Sequence, residues 1–255
     1  MARSVRTRAL VLAGAVVVLG GALSACSDAS DDKHPDHRAF VLPGDTLTVD
    51  ADDSALEIVA AADNKAGSVD VTRWFSGSTF AGGDASVDWR MSGDRLVLRT
   101  HCSGIVADCS TRHRIEVPRG VAVTVETDDG SVRASGFRDA LSVRSSDGSV
   151  RVSDSTGTLD LRTDDGSVRA DVSSRSVRVR TEDGSVGLEL GVAPDLVDAS
   201  SDDGSVTIGL PDTSYRVSTA TDDGSVHVSV PRSAGSTHKV SARTEDGKIT
   251  VRTVN

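Results

Sequence analysis

From residue 127 onward the chain returns again and again to one six-residue phrase: TDDGSV at 127, SSDGSV at 145, TDDGSV at 163, TEDGSV at 181, SDDGSV at 201, TDDGSV at 221 and TEDGKI at 244. The glycines of these phrases (Gly130, Gly148, Gly166, Gly184, Gly204, Gly224 and Gly247) are separated by 18, 18, 18, 20, 20 and 23 residues. A period of this kind marks a repeat architecture, in which one unit cannot bury its apolar face alone and must stack on its neighbours.

Around each glycine the apolar residues keep fixed offsets, as in Leu141, Val143, Val150 and Val152 about Gly148, or Val177, Val179, Val186 and Leu188 about Gly184. Alternation on both sides of a glycine turn reads as two short strands, each with one face inside. The same spacing recurs in the amino-terminal half, with Leu47, Val49, Leu56 and Ile58 about Ser54, and Val87, Trp89, Leu96 and Leu98 about Asp94. An antiparallel meander with Asp-Gly hairpins satisfies the alternation. A β-solenoid satisfies it better, because near-identical turns suit in-register stacking and a one-faced meander of this length needs a second layer. The expected fold is therefore all-β: a parallel β-solenoid with about 18–20 residues per coil and two short strands per coil, roughly nine coils forming a rod on the order of 40 Å long.

Composition agrees with stacked aliphatic strands. Four Phe, two Trp and one Tyr are too few for a core built on large rings. Against 28 Lys and Arg stand 38 Asp and Glu, a net charge of −10, which argues against nucleic acid as a partner.

The first 25 residues combine Arg3, Arg6 and Arg8 with an apolar stretch from Ala9 to Leu23, the pattern of a secretory signal. Its apolar run is shorter than the roughly 20 residues a transmembrane helix needs. It ends Leu23-Ser24-Ala25-Cys26, which resembles the bacterial lipobox, whose cysteine is lipidated and becomes the first mature residue. Cleavage there removes three arginines and no acid, taking the net charge from −10 to −13. Residues 26–38 read as a flexible tether, residues 39–120 as a degenerate amino-terminal part of the solenoid with its cap, and residues 121–255 as regular repeats. Export would deliver Cys102 and Cys109 to an oxidising compartment, where the pair reads as a disulfide rather than half of a zinc site.

The lipobox, the run Arg114-Ile115-Glu116-Val117-Pro118-Arg119-Gly120-Val121 and the DDGSV phrase together resemble the bacterial putative-adhesin family, a β-strand-repeat domain of unassigned function. The resemblance covers roughly residues 40 to 254. It implies a right-handed β-solenoid on an exported, often lipid-anchored protein of the cell membrane.

Stacking would align Asp129, Asp147, Asp165, Asp183, Asp203, Asp223 and Asp246 in one column, beside Asp128, Asp164, Glu182, Asp202, Asp222 and Glu245. The structural role of such an Asp is to accept a turn N–H while Gly takes a positive φ. The functional role is a calcium edge, since carboxylates and turn carbonyls are the ligands Ca²⁺ prefers. Arg133, Arg151 and Arg169, three after the glycines, and Arg144, Arg162, Arg180 and Arg243, four before, should point outward and offset the acids. No GxSxG, HExxH or phosphate-binding loop is present, so the chain reads as non-enzymatic. Phe40, Trp74, Phe75, Phe80 and Trp89 cluster before residue 90 and read as a cap on the first coil, with Trp74 and Phe75 the candidates for contact with a partner. The function expected is an extracytoplasmic adhesin, lipid-anchored at the membrane, touching envelope polymer or a surface protein. The alternative is a regulatory or sensing lipoprotein docked on a membrane protein.

Overall fold

The computed structural model describes residues 28–29, 32–61, 66–80, 83–104 and 106–254. Two long sheets face each other. In spatial order the first contains β1 (Asp36–Val41), β4 (Ser68–Phe80), β7 (Val106–Pro118), β3 (Ala55–Ala61), β9 (Val132–Ser135), β11 (Val150–Ser153), β13 (Val168–Val172), β15 (Val186–Leu190), β17 (Val206–Leu210), β21 (Lys248–Thr253) and β19 (Ser225–Val228). The second contains β18 (Arg216–Thr221), β20 (Lys239–Thr244), β16 (Leu196–Ser201), β14 (Ser176–Thr181), β12 (Leu159–Thr163), β10 (Leu141–Ser145), β8 (Ala122–Thr127), β2 (Thr46–Ala51), β6 (Arg95–Cys102) and β5 (Ala85–Ser92). From β6 onward the chain alternates between the sheets, so each coil gives one strand to each. The all-β solenoid expected from the repeat is the fold.

Pairing is parallel and in register through the repeats: Val150 lies beside Val132 and Val168, and Leu141 beside Val123 and Leu159. Inward residues such as Val143, Leu161, Val152 and Ala170 are fully buried. Parallel sheets ordinarily need cover on both faces. Here each sheet covers only the other, and the outward residues are charged or small and polar.

The amino-terminal end departs from the parallel plan. The strands β1, β4 and β7 pair antiparallel, as do β5 and β6. The offsets about Asp94 thus belong to a hairpin within one sheet, whereas those about Ser54 belong to a true coil. Alternation has the same period in both, so it cannot separate them. Because β1 begins at Asp36, the last three residues of the stretch read as tether are strand.

Coil order also differs from chain order at both ends. The coil of β2 and β3 sits between that of β6 and β7 and that of β8 and β9. At the other end the last coil in the chain, β20 and β21, fills the slot between β16/β17 and β18/β19. Residues 229–238 carry the chain back, held by Tyr215 N–H to Pro231 O at 2.9 Å and Ser233 N–H to Tyr215 O at 2.9 Å. Buried Tyr215 anchors this crossing through its hydroxyl on Pro211 O, at 2.9 Å. The stack ends on β18 and β19, where Val226 is 44% exposed although its counterpart Val206 is fully buried.

The corner phrase works differently from the expected Asp-Gly turn. None of its seven glycines has a positive φ. What requires glycine is proximity: a Cβ on Gly166 would lie 2.2 Å from Gly148 O, and one on Gly184 2.1 Å from Gly166 O. The side chain that holds the corner is the first residue of the phrase. Thr181 Oγ1 donates to Gly166 O at 3.0 Å and accepts from Gly184 N–H at 3.2 Å, and Thr163 repeats both bonds with Gly148 O and Gly166 N–H. These hydroxyls are buried. In the backbone, Glu182 and Asp183 N–H both reach Asp164 O at 3.0 Å, so the acids enter the ladder through their main chain.

Gly166→Ala should therefore cost about 2–3 kcal/mol or more through backbone displacement. Gly187→Ala, whose added Cβ meets nothing closer than 3.9 Å, should be neutral or stabilising by about 0.5 kcal/mol. Urea denaturation of the two variants checks the contrast.

Candidate functional site

Three surfaces carry the chemistry: the corner edge, the two outer sheet faces and the amino-terminal end. On the edge, Asp129, Asp147, Asp165, Asp183, Asp203, Asp223 and Asp246 are all exposed. Their column follows the stack rather than the chain, since a Cβ on Gly247 would meet Gly204 O at 2.3 Å and one on Gly224 would meet Gly247 O at 2.0 Å. Asp246 therefore stands between Asp203 and Asp223. Their carboxylates do not hold the corner, which the Ser and Thr hydroxyls do. Among the described residues no group of three or more His, Cys, Asp or Glu is arranged to hold a metal ion.

The column ends in a charge network. Arg99 bonds Asp50 at 2.8 Å and Asp52 at 3.2 Å, and Arg95 bonds Asp50 at 2.7 Å and Glu126 at 2.8 Å. Burial works against ionised Asp50, but hydrogen bonds from Arg99 and Arg95 outweigh it and hold its pKa below the usual range. Asp52 goes the other way, pushed up by burial and by Asp53, Asp128 and Asp50 despite Arg99.

The two outer faces differ in how their arginines are matched. On the second sheet Arg144, Arg162 and Arg180 lie in register. Arg162 meets Asp160 at 3.2 Å, Arg180 meets Asp202 at 3.2 Å, and Arg243 meets Asp198 at 3.1 Å. On the first sheet Arg133, Arg151 and Arg169 occupy neighbouring strands in register, are exposed, and their side chains make no ion pair or hydrogen bond among the described residues. Two of the acids near them are taken, while Asp171, two residues after Arg169 on β13, makes no ion pair among the described residues. Glu57, next in register to Arg133, is held by Arg112 at 2.6 Å and Arg114 at 2.5 Å. Glu189 reaches across Gly209 to Arg252. The three arginines, with Ser149, Ser167 and Gly187, line a groove of about 740 Å³. Outward-pointing arginines were legible in the spacing, but their expected pairing with acids is met by Arg162, Arg180 and Arg243 and, among the described residues, not by Arg144, Arg133, Arg151 or Arg169.

At the amino-terminal end Trp89 is buried between the sheets. Arg38 lies 4.6 Å and Arg73 4.9 Å from its ring centroid, and Phe40 packs edge-on at 6.1 Å. Arg73 also bonds Val87 O at 2.9 Å and pairs with Asp36. This is the cap. Trp74 and Phe75 are half-buried, Trp74 with Arg112 at 4.9 Å over its ring and Phe75 N–H on Asp32 at 3.1 Å. The side chain of Phe80 and the whole of Cys26 lie outside the described residues. A disulfide joins Cys102 to Cys109 across the β6–β7 turn. Phe137 and Tyr215, the aromatics of the repeat region, are buried in the core and offer no ring to a ligand.

Beneath Trp89 and Arg73 lies His113, fully buried, with neither ring nitrogen hydrogen-bonded. Burial, with a smaller contribution from the Arg73 charge, lowers its pKa to about 3. The folded chain thus holds it neutral while the unfolded chain protonates it near the ordinary value of 6.5. Stability from this residue is complete above pH 6.5 and is lost as pH falls towards 3, by about 3 kcal/mol at pH 4. His113→Leu should flatten that part of the pH dependence and leave stability at pH 7 equal or higher, because no hydrogen bond is lost. Thermal melts of both proteins from pH 7 to 4 check it.

The Toastrack DUF4097 family model matches residues 119–254, the span of the regular coils. The chain belongs to that family. Its fold is shared with a solved structure from Bacteroides fragilis described as a "putative adhesin", 13% identical, TM-score 0.53, covering 88% of this chain and 98% of that one. A "putative adhesin" from Parabacteroides merdae is 11% identical, with a TM-score of 0.48 over 88% and 97% of the two chains. A "putative cell adhesion protein" from Clostridium sporogenes is 11% identical, with a TM-score of 0.37 over 87% and 100%. No curated protein matches at a significant level.

Proposed function

We propose that this Toastrack chain is a non-enzymatic adhesin of the cell envelope, lipid-anchored through Cys26, whose rod presents in-register charged ladders to an envelope polymer. The observation that carries this reading is the unmatched arginine column on the first sheet. Like charges one strand spacing apart repel by roughly 1 kcal/mol per neighbour even in water, and the second sheet shows that this scaffold can seat an acid beside an arginine. A protein that leaves three guanidinium groups unmatched in consecutive coils, on a chain of net charge −10, keeps them for an external anion. The Bacteroides fragilis structure named for adhesion, and the export signal read from residues 1–25, support the same setting.

The full chain, immobilised and exposed to envelope extract, should recover glycan selectively. Recovery of one defined membrane protein and no glycan would replace adhesion by docking. The anchor is tested separately. Cys26→Ser should move the chain from the membrane fraction to the soluble fraction of the export compartment, and unchanged fractionation would remove lipidation from the reading.

A further inference from the structure

We infer that the outer face of the first sheet, along Arg133, Arg151 and Arg169, binds a linear acidic polysaccharide carrying a carboxylate on each sugar, laid across the strands parallel to the stacking axis. This rests on the adhesin reading above and names its face and polymer class.

The geometry points there in four steps. First, Arg133, Arg151 and Arg169 pair in register across β9, β11 and β13, so the guanidinium groups recur at the strand spacing of about 4.8 Å. Only a ligand whose own charges recur along a line satisfies all three at once. Second, the groups are free to engage it, since Glu57 and Glu189 at the flanks are committed to Arg112, Arg114 and Arg252, and Asp171 is the one uncommitted acid lining the groove. Arginine forks suit a carboxylate through two parallel hydrogen bonds.

Third, the column beside the arginines is hydroxyl. Ser131, Ser149, Ser167, Ser185 and Ser205 line the same groove, two residues before the arginine position in each coil, and supply donors and acceptors for the hydroxyls of a sugar. Fourth, the groove is extended and bears no aromatic side chain, so affinity must come from charge and hydrogen bonds repeated along a polymer rather than from stacking on one ring. Gly187, next in register to Arg169, removes the side chain that would otherwise block the line at the fourth coil.

The test uses the full chain in detergent, titrated calorimetrically at low salt with polygalacturonate, in the presence of EDTA so that no cation bridges the polymer to the corner acids. Binding is expected, weakening with salt and falling sharply for mono- and digalacturonate, which cannot span three coils. The variant Arg133→Gln/Arg151→Gln/Arg169→Gln should lose at least about tenfold in affinity. The variant Arg144→Gln/Arg162→Gln/Arg180→Gln removes the same charge from the other face and should stay within about twofold. Both sets are exposed, and equal thermal melts establish that both variants fold.

Equal loss in the two variants would reduce the effect to net charge and overturn the site. Binding of inorganic polyphosphate without polygalacturonate would overturn the polymer class. Glycan captured from envelope extract by a chain that ignores polygalacturonate would leave the adhesin reading standing and remove this assignment alone.

Discussion

Everything in this molecule depends on how closely one coil can approach the next at the corner. The carbonyl oxygen of one corner glycine occupies the space where the next would carry a Cβ, and the buried hydroxyls of Thr163 and Thr181 bond that carbonyl while accepting the N–H of their own glycine. The contact satisfies backbone groups that would otherwise be buried without partners. It also sets the register. A slip by one residue would invert every inward valine, and it would also place a side chain against a carbonyl.

Register control makes the surface chemistry repetitive. When identical positions stack, any outward residue chosen at one offset becomes a column, and columns of like charge are costly unless something intervenes. The protein answers in three ways. The corner acids remain exposed to water, with Arg95 and Arg99 closing one end of the edge. The second sheet sets Asp160, Asp202 and Asp198 against Arg162, Arg180 and Arg243. The first sheet leaves Arg133, Arg151 and Arg169 unmatched, beside the serine row that lines its groove.

The ends obey a different constraint, because a stack must stop. At the amino-terminal end, antiparallel strands and Trp89 with its two arginines close the core, at the cost of a buried, unbonded His113. At the carboxyl end the chain overshoots one slot and returns to fill it, so the terminal coil is not the last in sequence. Nothing in the phrase TEDGKI distinguishes a coil placed between two others from one placed at the end, since its inward residues suit either.

The sequence alone determined the solenoid, the strand positions, the inward valines and the outward arginines, because period and alternation are local properties that stacking must respect. It also carried the pairing of Cys102 with Cys109. It did not carry the reason for the glycines, which lies in a carbonyl of the neighbouring coil rather than in their own φ, nor the role of the Ser and Thr that open each phrase. Coil order at the ends and the split between matched and unmatched arginines were decided only by the tertiary structure. Both depend on which strands become neighbours, and neighbours in this stack are separated by 18 to more than 40 residues of chain that no local pattern connects.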